Sequence, residues 1–172
     1  MLETKVKKKQ ETKIAGLNLR FVGEDDVPKL FRMIEEFADC VSLKNELIAS
    51  EDLIREAIFK SKIVNALLIE IDDILVGYAM FYYNFSSFIG KSGIYLEDIY
   101  IRSEYRGKGI GKSVFRTLSK LAIKKNCWGL EWICFDWNKS AIRFYEDLGA
   151  EYIEDKKIYR LNGKILLSLA KE

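Results

Sequence analysis

The sequence predicts a mixed α/β (α+β) domain spanning residues 1–172, with a central mixed, mostly antiparallel sheet and helices on both faces. Three observations carry this reading. β-branched and aromatic runs alternate with stretches whose apolar residues recur at helical spacing. Two of the runs, at 63–71 and 75–83, are joined by Asp72-Asp73, which suits an antiparallel hairpin. Residues 96–111, L-E-D-I-Y-I-R-S-E-Y-R-G-K-G-I-G, then pass from a strand through a glycine-punctuated turn into a helix start. The expected order of elements is β-α-α-β-β-β-α-β-α-β-β.

Taken in order, residues 1–13 hold five lysines and little that could pack, which reads as a flexible basic tail. Residues 17–22 alternate as a first strand. Asp25 or Asp26 then caps a helix with Pro28 in its first turn, and Val27, Leu30, Phe31, Ile34 and Phe37 form its inward stripe. A second helix runs over about 50–60, with Leu53, Ile54, Ala57 and Ile58 turned inward. After the hairpin, 84–93 reads as a loop whose Phe85, Phe88 and Ile89 pack at a sheet edge. The helix after the glycines carries Val114, Phe115, Leu118, Leu121 and Ala122 on one face and a row of cations on the other. Residues 130–136 form a buried strand and 138–148 a short helix that Gly149 ends. The final runs, 152–161 and 164–169, flank Asn162-Gly163 and read as a type I′ hairpin.

Composition excludes several classes of function. A length of 172 residues with 49% hydrophobic content supports one substantial core, and a formal charge of +2 gives no global field for nucleic acid. There is no histidine, so His-based triads and His-ligated metals are excluded, and acid–base work falls to Glu, Asp, Tyr, Lys or Cys. Cys40, Cys127 and Cys134 form no C-x-x-C pair and read as reduced thiols. No metal site is expected. With no apolar signal core and no long apolar span, the expectation is a cytoplasmic protein that engages neither membrane nor nucleic acid.

The glycines at 107, 109 and 111 clear side chains from a place where backbone N–H groups converge ahead of a helix, which suits a phosphate. Lys112 stands where a dinucleotide fingerprint needs glycine, and Arg106 where a P-loop needs its first glycine, so neither motif is met. Arg106, Gly109 and Gly111 do match [QR]-x-x-G-x-[GA], the pyrophosphate signature of the GCN5-related N-acetyltransferases (GNATs). A second block, N-K-S-A-I-R-F-Y-E-D-L-G-A from Asn138 to Ala150, resembles that family's N-x-x-A-x-x-F-Y-x-x-x-G-[FA]. Y-L-E-D-I-Y-I and D-W-N-K-S-A-I-R-F-Y are closer still to its diamine (spermidine/spermine) branch. The resemblance covers nearly the whole chain. It implies the GNAT fold, acetyl-CoA as cosubstrate, acetyl transfer to a primary amine of a small molecule, and a homodimer.

Carried onto this sequence, the resemblance implies that Ile99, Tyr100 and Ile101 meet pantetheine with their backbone. Arg106, Gly107, Lys108, Gly109, Ile110, Gly111 and Lys112 would hold the pyrophosphate, and Asn138, Ser140 and Tyr145 would make further cofactor contacts. An ammonium acceptor with a pKa of ~10.4 must lose a proton before or during attack, and Glu97 is the candidate base, directly or through water. Adjacent strand residues face opposite ways, so Glu97 and Asp98 share a cleft only if a bulge breaks the alternation, as it does in GNATs. Such a bulge would also free an N–H for the developing oxyanion. The leaving thiolate has a pKa near ~8.5 and tyrosine sits near ~10, so Tyr145, in the family's general-acid position, is the candidate proton donor.

Substrate contacts are expected from Glu97, Asp98, Asp39 and Asp155. The branch's acidic segment after the first helix here reads V-S-L-K-N-E, and Lys157 replaces a further acid, which argues for small mono- or diamines and thialysine-like amino acids over long polyamines. Acetylation of a protein or peptide amine, and a non-catalytic CoA-binding module, are the alternatives. The presence of Glu97 and Tyr145 favours an enzyme.

Overall fold

The structure, a computed structural model, describes residues 14–171; the expected basic tail at 1–13 lies outside them. Among these residues five strands form one sheet in the order β1 (Leu17–Phe21), β2 (Asn65–Ile71), β3 (Ile74–Ser86), β4 (Lys91–Ile101) and β5 (Leu130–Trp132). The first three pairings are antiparallel and β4–β5 is parallel. The β2–β3 hairpin closes through Asp72 and Asp73, both with positive φ (50° and 65°), between the paired residues Ile71 and Ile74.

Helix α1 (Val27–Cys40) begins where Asp26 accepts a hydrogen bond from the Gly23 N–H (2.9 Å). Arg20 on β1 donates to Asp26 (3.0 Å) and to Glu70 on β2 (2.8 Å), tying the helix start to two strands. The Arg20 guanidinium holds the Asp26 carboxyl down to about 2, against the cost of burial. Val27, Leu30 and Met33 are essentially inaccessible, and Leu30 and Met33 pack with Leu68, Tyr78, Met80 and Tyr100 of the sheet. Each such side chain contributes about 1.5–3 kcal/mol of transfer free energy. Helix α2 (Glu51–Arg55) is capped by the Ser50 hydroxyl and continues through a π-type turn to Lys60. Ile54, Ile58 and Phe59 pack against the same cluster, whereas Leu53, expected inward, is exposed. Helix α3 (Ile110–Lys124) covers the other face, with Phe115 edge-on to Trp132 at 4.9 Å.

The chain divides between Ile133 and Cys134 into two compact units. The second holds α4 (Lys139–Asp147) and α5 (Gly163–Leu169). Four further expectations are corrected. Residues 84–93 are not a loop, because backbone pairing carries β3 to Ser86 and resumes β4 at Lys91. Phe85, Phe88 and Ile89 are exposed rather than packed at the edge. The strand expected over 130–136 is only Leu130–Trp132, since pairing with β4 ends at Leu96↔Trp132. The Asn162-Gly163 hairpin does not form: Asn162 is extended (φ −145°), a type I′ turn needs positive φ there, and the residue instead precedes α5.

Candidate active site

Strand β4 organises the site. On one side it pairs with β3 along its length, but Met80 faces Asp98 while Phe81 faces Leu96, so Glu97 is an extra residue without a partner in the β3 register. The expected bulge is therefore at Glu97. Its consequence follows from the register. Tyr95 lies opposite Tyr82, and Asp98 and Tyr100 lie opposite Met80 and Tyr78, all on the α1 face; Leu96 and Phe81 point the other way. Glu97, next to Leu96, joins Tyr95, so Glu97 and Asp98 share one face.

On its other side β4 pairs with β5 only from Ile94 to Leu96. Among the described residues, 97–101 have no strand partner along that edge, which leaves backbone groups there for an extended ligand. Ile99 and Ile101 keep their side chains half-buried. The Tyr100 ring packs against Phe37 (5.8 Å) and its hydroxyl donates to Glu36, so Tyr100 offers a ligand only its backbone.

Asp98 accepts a hydrogen bond from the buried Tyr78 hydroxyl (3.1 Å). Burial pushes the Asp98 carboxyl up to about 6; the Tyr78 bond opposes the rise and the charge of Glu97 adds to it. The Tyr78 hydroxyl moves far above its ordinary value, through burial and then the charge of Asp98. Sequence reasoning did not single out Tyr78. Tyr78 and Tyr82, four residues apart, share one face of β3, and the bulged register sets which β4 residues that face meets.

The turn after β4 places two left-handed glycines directly ahead of α3. Gly107 and Gly109 have φ of 72° and 82°, a region costly for residues with a Cβ. The first i→i−4 bond of α3 runs from the Ser113 N–H to the Gly109 carbonyl (3.1 Å), so the N–H groups of Ile110, Gly111 and Lys112 precede any helical acceptor. They lie at the positive helix end, which suits a pyrophosphate. Ile110 buries its side chain, and Lys108 lies over the Tyr105 ring (5.2 Å). The Arg106 guanidinium donates to the Ile101 carbonyl (2.7 Å) and to Cys40 Sγ (3.4 Å), bracing the turn against β4 and α1.

In the second unit Asn138 caps α4, its Oδ1 accepting from the Ala141 N–H and from the Ser140 hydroxyl (both 3.2 Å). Both residues are thus engaged at the helix start, with the Asn138 amide N–H₂ left for other contacts. Tyr145, on α4 beside Phe144, has its phenol pushed up to about 12 by burial, the nearby Cys134 adding to the rise. Of the other expected substrate acids, Asp39 is paired with Lys44 (2.8 Å), and Asp155 is exposed in a stretch of the second unit without strand structure. No group of ligating side chains suited to a metal occurs among the described residues, and no described helix is long and apolar enough to cross a membrane.

A bulged, half-open strand thus runs into a glycine turn and a helix N-terminus. The acetyltransferase (GNAT) family profile matches residues 30–150, and the chain belongs to that family. It is an acetyl-CoA-dependent N-acetyltransferase. The chain is 31% identical to the thialysine N-epsilon-acetyltransferase of Sus scrofa over 91% of its length and 99% of the relative's. It is 40% identical to the L-ornithine N5-acetyltransferase of Arabidopsis thaliana over 100 residues, 58% of this chain and 44% of that one. Among solved structures, an integron cassette protein from the V. cholerae mobile metagenome superposes with a TM-score of 0.74 at 26% identity, covering 92% of this chain and 100% of that one.

Proposed function

We propose that the protein acetylates a primary amine of a small molecule of the diamine, polyamine or thialysine-like class by direct attack, with Glu97 as base and Tyr145 as acid. The observation that carries this is the β4 bulge, which sets two carboxylates on one face beside a strand edge open to pantetheine. The names of the relatives support the acceptor class, since thialysine and ornithine both carry a side-chain amine. The Asp39–Lys44 pair supports short acceptors over long polyamines, because it removes an acid that a further cation would need.

Acetyl-CoA supplies the activated acetyl group. Residues 106–112 hold its pyrophosphate and the open edge at 97–101 aligns its pantetheine arm. Asp98, with a pKa near 6, is ionised above that pH, so two carboxylates meet the incoming ammonium. Glu97 accepts the proton the amine must shed, and the N–H freed by the bulge donates to the carbonyl oxygen as charge develops. Tyr145 remains protonated across the working range and donates to the departing sulfur. The protein acts as one acetyltransferase domain, in the cytoplasm, and as a homodimer. The exposed apolar side chains of the second unit, among them Tyr152, Tyr159, Leu161 and Leu166, support self-association.

Thiol release from acetyl-CoA, measured at fixed ionic strength with thialysine, ornithine, putrescine, spermidine, spermine and a lysine-bearing peptide, tests this function. The expected order places the short diamino compounds first in kcat/KM. A wide margin for spermine would overturn the charge argument, and a margin for the peptide would overturn the acceptor class.

A further inference from the structure

The α1 face of the sheet carries four tyrosines opposite one another in two pairs, and the pairs differ. Tyr78 and Tyr100 are buried, and their hydroxyls are engaged by Asp98 and Glu36. Tyr82 and Tyr95 are half-exposed and stack at 5.0 Å between centroids with 29° between planes. The stack adjoins the bulge, and Glu97 lies close enough for its charge to raise both hydroxyl pKa values further above the rise due to burial. Tyr95 is also flanked in the parallel register by Glu131, which accepts from Asn84 (3.1 Å) and whose charge raises the Tyr95 hydroxyl as well. The Glu97 carboxylate thus acts on both rings and that of Glu131 on one.

Stacked electron-rich rings within an anionic field attract a cation over their faces. A carboxylate alone attracts any ammonium; rings beside it add a second, separate position. Tyr95 lies two residues from Glu97, at most about 7 Å along the bulged strand, which is within the reach of a short diamine. We propose that the Tyr82–Tyr95 stack receives the second, non-reacting ammonium of the acceptor while the reacting amine sits at Glu97, so that the enzyme selects short diamino compounds over monoamines of equal length. This rests on the small-amine reading above and adds to it the residues that choose within the class.

The test compares 1,5-diaminopentane with n-hexylamine on the full-length protein. Wild type is expected to show a KM at least roughly tenfold lower for the diamine. Tyr82→Leu and Tyr95→Leu should raise the diamine KM by about that factor with kcat little changed, while Tyr82→Phe and Tyr95→Phe, which keep the ring, should retain the wild-type KM. Unchanged KM in the Leu variants, or equal loss in the Phe variants, overturns the proposal. Should the Leu variants not fold, wild type decides: an N-trimethylated pentylamine should compete with the diamine at least roughly tenfold better than its neutral tert-butyl counterpart, and equal inhibition overturns the assignment. A wild type that binds CoA yet acetylates no small amine refutes the underlying reading. One that turns over diamines without regard to the two tyrosines refutes this inference alone.

Discussion

Tyr145 occupies a position where burial and reactivity act in opposite directions. A phenol raised to about 12 never loses its proton near neutrality, which suits a donor, but it is also a weaker acid than the thiol it would generate. Complete transfer to a thiolate of pKa ~8.5 is uphill by about 5 kcal/mol, so the phenol contributes chiefly as a hydrogen-bond donor while charge develops on sulfur. Tyr145→Phe is expected to lower kcat by roughly 10²-fold with CoA affinity within a factor of about two. Calorimetric titration and steady-state rates measure the two quantities, and a near wild-type kcat would return Tyr145 to a packing role. Of these single residues the sequence disclosed the chemical types but not the environments. Glu97, Asp98 and Tyr145 stand out in motifs. The raised pKa of Asp98, by contrast, comes from burial against β3, and the hydroxyl that moderates it belongs to Tyr78, twenty positions away, so both follow only from the strand register.

Among elements, the turn after β4 carries the sharpest expectation. At Gly109 an added Cβ would meet only Ile14 Cδ1, at 3.8 Å, so a side chain is opposed by its own backbone at φ 82° rather than by neighbours. Gly109→Val should distort the turn and weaken CoA binding by at least roughly tenfold, since a branched residue in the left-handed region costs more than the ~1–2 kcal/mol of an unbranched one. Unchanged affinity by calorimetry would remove the turn from the cofactor site. This element was legible because glycine spacing states a backbone requirement directly. Two others were not. The same reasoning that found the Asp72-Asp73 turn placed a hairpin at Asn162-Gly163, but there the flanking run I-L-L-S-L suits a helix as well as a strand, and period alone does not decide between them. The long β3–β4 hairpin was hidden by Asn, Ser and Gly, which read as loop residues until strand pairing overrides them.

At the scale of the whole molecule, the absence of histidine gives the burial of Asp98 a use. No ordinary side-chain pKa falls between about 5 and 8 in such a chain, and burial places one there. The folded pKa, about 6, lies above the unfolded ~3.9, so folding favours the protonated form. The associated stability is full below about pH 4 and is lost as pH rises through about 6, a change on the order of 2–3 kcal/mol. Asp98→Asn, which can still accept from Tyr78, should flatten urea-unfolding stability between about pH 4 and pH 7, and a persistent slope would point to another group. Near pH 6 the wild-type carboxyl holds about half a proton, and an ammonium arriving beside it expels that fraction into solution. The heat of amine binding then depends on the ionisation enthalpy of the buffer, so titrations in two buffers count the released proton against a background that contains no imidazole.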